Sequence, residues 1–102
     1  MNEVFDRMRS MLASAFGERL RGVVVYGSQA RGEAAQDSDL DLMVLLDGPV
    51  HLGADLETIV GALYPLQLEI ERPIHALPVA LASFEAGEYA VYRNAKREGL
   101  FV

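Results

Sequence analysis

With 102 residues, 51% of them hydrophobic and 24% charged, the chain can bury one core and has the composition of a folded protein rather than a disordered one. A formal net charge of −6 works against a long surface that tracks nucleic-acid phosphates and suits a basic protein partner better. The absence of cysteine excludes disulfides and thiolate metal sites, and no apolar run is long enough to span a bilayer. The first residues, Met1 to Asp6, lack the basic start and apolar core of a secretory signal, so a cytoplasmic location is expected. Residues 1–102 read as one domain with no room for a separate substrate-binding domain.

In chain order, Val4, Met8, Met11, Leu12, Ala15 and Phe16 recur at helical spacing, with Asn2 placed to cap the start and Gly17 to end it. This predicts an amphipathic first helix whose apolar stripe faces the core. Val23 to Tyr26 is a β-branched and aromatic run, hence a buried strand, and it stops at Gly27-Ser28. A glycine there lets the main chain bend and a ligand come close, and the small residues after it can open a helical turn whose free N–H groups attract an anion, phosphate first of all.

After a polar interval comes Ser38-Asp39-Leu40-Asp41, which leads into an apolar run predicting a second strand from about Leu40 to Leu46. Strand alternation places Asp39 and Asp41 on one face and Leu40 and Leu42 on the other. Two carboxylates so close cost free energy unless a cation sits between them or one is protonated, and a hard ion such as Mg2+ prefers oxygen ligands. The competing reading, a solvated strand entrance with Ser38 as a turn residue, leaves the spacing from Gly27-Ser28 unexplained.

Asp47-Gly48-Pro49 stops the strand, and Leu52, Leu56, Ile59, Val60 and Leu63 form the stripe of a second helix expected to end near Tyr64-Pro65. Gln67 to Glu71 reads as a short extended segment. Ile74 to Leu81 reads as a third strand, which Pro78 confines to an edge or a strand end. Ser83 is placed to cap a short turn, and Glu88 to Arg97 to form a last helix terminated by Gly99. The order predicts an α/β layer, helices packed mainly on one face of a small mixed β-sheet. It leaves the direction of the two motif strands open.

Gly27-Ser28, ten residues, then Asp39-x-Asp41 resembles the signature of the DNA polymerase β-type nucleotidyltransferase superfamily. Ala30-Arg31-Gly32 with Ser38, and more loosely Arg97-Glu98-Gly99, is similar to its minimal nucleotidyltransferase branch. The resemblance implies the polymerase β-like fold and a Mg2+-dependent transfer of a nucleoside monophosphate, AMP from ATP, to a hydroxyl. Asp39 and Asp41 would hold the metal, and Gly27 and Ser28 would bind the triphosphate. Arg31 reads equally as a phosphate contact or as an exposed loop cation. Small members often act as antitoxins beside a HEPN-type ribonuclease toxin, so such a toxin is the implied protein partner. The alternative is a degenerate member that acts by protein or nucleotide binding.

Active members usually present a third carboxylate from the next core strand, whereas Ile74 to Val79 contains no acid. His75 stands near that place and could ligate a metal or accept a proton, but a lone histidine between apolar neighbours reads more simply as a packing residue. Glu69 and Glu71 could substitute if the chain folded back, although exposed charges ahead of Pro73 are the simpler reading. Asp37 reads as a turn cap or a support for the carboxylates, and His51 and Gln36 as surface.

Overall fold

Three apolar runs pair into one sheet, and the side on which each of their residues is buried sets the layers. The computed structural model describes residues 3–27 and 38–102. Helix α1 spans Glu3–Phe16 and leads through a single 3-10 turn into β1, Leu20–Tyr26. Strand β2 is Leu40–Leu46, helix α2 Leu52–Glu69, and strand β3 Ile74–Ala80. Helices α3, Leu81–Ala86, and α4, Ala90–Glu98, precede a two-residue strand β4, Leu100–Phe101. Asn2, the expected cap of α1, lies outside the described residues.

The strand order is β3-β2-β1-β4. Strands β1 and β2 run antiparallel, β2 and β3 parallel, and β1 and β4 antiparallel, which makes the sheet mixed as the sequence predicts. Parallel pairing of β2 with β3 requires a crossover, and α2 supplies it. The β3 strand lies at the sheet edge, where Pro78 removes no ladder bond to an outer neighbour.

Alternation divides the strands cleanly. Val23, Val25, Leu40, Leu42, Val44 and Leu46 join α1 and α2 in one core, while Val24, Met43, Leu45 and Val79 face Phe84 of α3 and Ala95 of α4. The two long helices therefore share one face, as expected, and the two short ones cover part of the other. Within α1, Phe5, Met8, Leu12 and Phe16 are buried, whereas Ala15 is exposed.

Three local expectations need correction. Helix α2 passes through Pro65 to Glu69, so residues 67–69 are helical and not extended. Proline deprives the carbonyl four residues back of its partner, but that residue is the exposed Gly61, whose carbonyl water can reach, and burial of Leu63 and Leu66 holds the turns on either side. Ser83 sits inside α3, whose N-cap is Ala80 with no side-chain cap bond. Gly99 ends α4 as expected, with an extended backbone (φ −74°, ψ 161°). It is needed because a Cβ there would collide with the Ala95 carbonyl and lie 2.5 Å from Val24 Cγ1, where the end of α4 crosses β1.

The start of α2 is pinned to the α1–β1 connection. Arg19 donates to both oxygens of the buried Asp55 at 2.9 and 3.1 Å, and the His51 N–H donates to Asp55 at 2.9 Å. The Arg19 bond, and less so that of the His51 N–H, holds the Asp55 carboxyl below the ordinary carboxylate range against the opposing effect of burial. A carboxyl with a lowered folded value adds stability that is complete above its unfolded value and is lost as pH falls through the folded one. Asp55→Asn is expected to cost about 1–3 kcal/mol at neutral pH. In urea denaturation the gap to wild type should close in acid, and a gap that persists there would show that the charge is not its cause.

Among the described residues, no helix is long and apolar enough to cross a membrane.

Candidate active site

The β1 strand ends at Gly27, whose φ of +76° lies in the left-handed region that side chains disfavour. Antiparallel pairing sets Tyr26 opposite Asp41. A Cβ on Gly27 would sit 3.0 Å from Asp41 Oδ2, so this carboxylate lies against the space that a side chain at position 27 would take. The glycine of the predicted turn and one acid of the predicted pair therefore lie close together. Ser28, Arg31, Gln36 and Asp37 lie outside the described residues.

Asp41 follows the parity of Met43 and Leu45, whose side chains face the α3–α4 side, and Asp39 precedes it with the same parity. Asp41 is half-buried and Asp39 exposed, while Leu40 and Leu42 between and beyond them are fully buried on the opposite face. The segment entering β2 is fastened from β3. The Leu40 N–H donates to the Pro73 carbonyl at 2.8 Å, and Arg72 Nε donates to the Ser38 carbonyl at 2.7 Å.

His75 is not a packing residue. Parallel register places it directly beside Asp41, and its Nε2 lies 3.1 Å from Asp39 Oδ2, with the two side chains 61% and 55% exposed. The short helices cover only the far half of this face, over Leu77 and Val79, and leave the His75 end open. Glu69 ends α2 in a two-bond pair with Arg7 at 2.7 and 2.9 Å, and Glu71 is exposed. His51 is exposed, as expected.

Sequence reasoning passed over three neighbours. Tyr26, half-buried, has its phenol raised above the usual range by burial and then by the charge of Asp41. Asn94 and Glu98 of α4 line a pocket of about 160 Å³ with Tyr26 and Gly27. The spacing of four between Asn94 and Glu98 places them on one face of α4, but only the seating of α4 on β1 turns that face toward Gly27.

Among the described residues no group of three or more His, Cys, Asp or Glu side chains is arranged to hold a metal ion. The donors are two carboxylates on one open face. That set fits Mg2+, which is commonly held by one or two carboxylates while substrate phosphates and water complete its shell. His75, a nitrogen donor, is better suited to orienting Asp39 than to binding such an ion.

The sequence model of the nucleotidyltransferase domain family matches residues 6–100. A stretch of 45 residues is 36% identical to one named putative protein adenylyltransferase from Methanocaldococcus jannaschii, covering 44% of this chain and 31% of that protein. The chain thus spans about a third of the length of the curated relative it matches. The crystal structure of a putative nucleotidyltransferase from Sulfolobus solfataricus superposes with a TM-score of 0.63 at 14% identity, over 94% of this chain and 72% of that one. At that identity the likeness is one of fold.

Proposed function

The chain belongs to the nucleotidyltransferase domain family, and from that premise we propose that it transfers a nucleoside monophosphate, AMP from ATP, to a hydroxyl on a partner protein. The observation that carries this reading is the position of Asp41 Oδ2, 3.0 Å from where a Cβ on Gly27 would lie, which sets the end of β1 beside a carboxylate suited to metal. The acceptor oxygen forms a bond to the α-phosphorus as the bond to pyrophosphate breaks, and the hydroxyl proton passes to a base. Mg2+, when bound, supplies neutralisation of the phosphate charge. Asp39 and Asp41 would hold that ion, the missing side chain at Gly27 leaves room for the Asp41 carboxylate, and Gly27, Ser28 and Arg31 are read as contacts of the triphosphate. His75 holds Asp39 in place through Nε2.

The name of the archaeal relative supports AMP and a protein acceptor. The net charge of −6 supports a basic partner, and a HEPN-type toxin for which this chain is the antitoxin is the specific form of the reading. Incubation with Mg2+ and labelled ATP, with and without that partner, tests it. Label should appear on the partner and vanish with chelator.

A second reading, a degenerate module that binds without turnover, is favoured by one observation: the β3 residue beside Asp41 is His75 and not an acid. His75→Asp tests whether this position addresses the metal. If the position addresses the metal, the new carboxylate should raise Mg2+ affinity about tenfold or more at little change in melting temperature. An affinity left where it was would remove His75 from the metal's surroundings.

A further inference from the structure

The apolar surface of α2 is wider than its core contact requires. Ile59, Leu63 and Leu66 are buried, yet Leu52, Val60, Tyr64 and Leu68 stand 58, 58, 57 and 68% exposed. With Leu56 these residues recur every fourth position, so they form a continuous stripe over roughly 24 Å of helix. Beside the stripe, a groove of about 440 Å³ separates α2 from the outer edge of β3, and it reaches His75 and Tyr26 on the face that carries Asp39 and Asp41.

From this continuity we infer that the groove and stripe are the docking surface for the acceptor protein, receiving a segment with an apolar face and basic flanks. The inference rests on the transfer reading above. Three observations select this occupant. First, no Lys or Arg lines the groove among the described residues, so it does not suit a triphosphate. Gln67, the amide in its wall, is committed at both ends: Nε2 donates to the Arg72 carbonyl at 2.7 Å and Oε1 accepts from the Ile74 N–H at 2.8 Å, so it is not available to read a base.

Second, those same bonds blunt the open edge of β3, and Pro78 contributes no N–H farther along. An added strand would find little backbone pairing, so the affinity comes from side chains seated on Leu56, Val60 and Tyr64, the mode of a helix in a groove. The stripe is also longer than a small molecule would cover. Third, Glu57 beside Leu56, Glu71 ahead of β3 and Asp39 against His75 are all exposed. Two copies of a chain with net charge −6 repel each other, whereas a basic-flanked segment is attracted.

The test uses a labelled synthetic amphipathic helix of roughly 18 residues, long enough to cover the stripe, with a leucine face, lysine flanks and one serine. A second peptide carries glutamate in place of lysine. Fluorescence anisotropy without nucleotide should show saturable binding of the lysine peptide and none of the glutamate peptide. Val60→Glu, at an exposed position, should weaken binding at least about tenfold, the loss of one buried hot-spot contact. Leu100→Glu, at the opposite edge of the sheet, should not. Equal binding by Val60→Glu, or no saturable binding, overturns the docking surface. So does a wild-type dimer in sedimentation that Val60→Glu dissolves, which would give the face to a second copy. Peptide binding without label transfer from ATP to its serine or to a full-length partner would leave the surface standing and count against the transfer reading. Label transfer to a partner unaffected by Val60→Glu would do the reverse.

Discussion

On the transfer reading, the double variant Asp39→Ala, Asp41→Ala is expected to lose Mg2+-dependent nucleotide binding and to transfer at least about a thousandfold more slowly, since an ion that would stabilise the reacting phosphate by several kcal/mol would lose its ligands. Its fold will survive. The burial that fixes β2 lies in Leu40, Leu42, Met43, Val44, Leu45 and Leu46, all 2% exposed or less, while Asp39 is exposed and Asp41 half-buried. Removing two neighbouring like charges also relieves repulsion, so the melting temperature should hold or rise slightly. His75 loses its partner in this variant without losing a packing role, because its ring is already 61% exposed. Calorimetry with ATP and Mg2+ reads the result directly. An affinity equal to wild type would refute the metal assignment.

Gly27→Val will damage both the fold and the site, for two separable reasons. A β-branched residue forced to φ +76° costs on the order of 1–2 kcal/mol or more in backbone strain. Its Cβ also arrives 3.0 Å from Asp41 Oδ2, so the carboxylate must turn away from the position that the metal reading requires. Gly27→Ala keeps most of the strain with the least added bulk. Both variants should therefore melt lower than wild type, and valine should lose nucleotide affinity further than alanine does. If valine leaves both melting temperature and affinity unchanged, Gly27 is not a point of close approach.

Much of this architecture was legible because it rests on short-range rules. The β-branched run before Gly27 and the apolar run after Asp41 declared two strands, and parity alone set Asp39 and Asp41 on one face and Leu40 and Leu42 on the other. Pro78 declared an edge, and β3 is one. The end of α2 was misread because the rule for proline considers only the lost backbone bond, whereas Gly61 is exposed to water and Leu66 is anchored in the core. The exposed Leu52, Leu56 and Val60 were read in one apolar stripe with the buried Ile59 and Leu63, since hydrophobic periodicity cannot tell a helix face that has a neighbour from one that has none.

By itself, then, the sequence determined strands β1 to β3, the glycine turn and the like-facing acid pair, consequences of local backbone preference and side-chain alternation, and the resemblance of its motif pointed to the family. Tertiary structure decided the direction of each strand pair, and through it the site. Antiparallel β1–β2 pairing puts Gly27 against Asp41, and parallel β2–β3 register puts His75 beside Asp41 and within 3.1 Å of Asp39. No spacing along the chain encodes the His75 contacts, because residue 75 reaches residues 39 and 41 only after the crossover through α2 has fixed which edge β3 occupies.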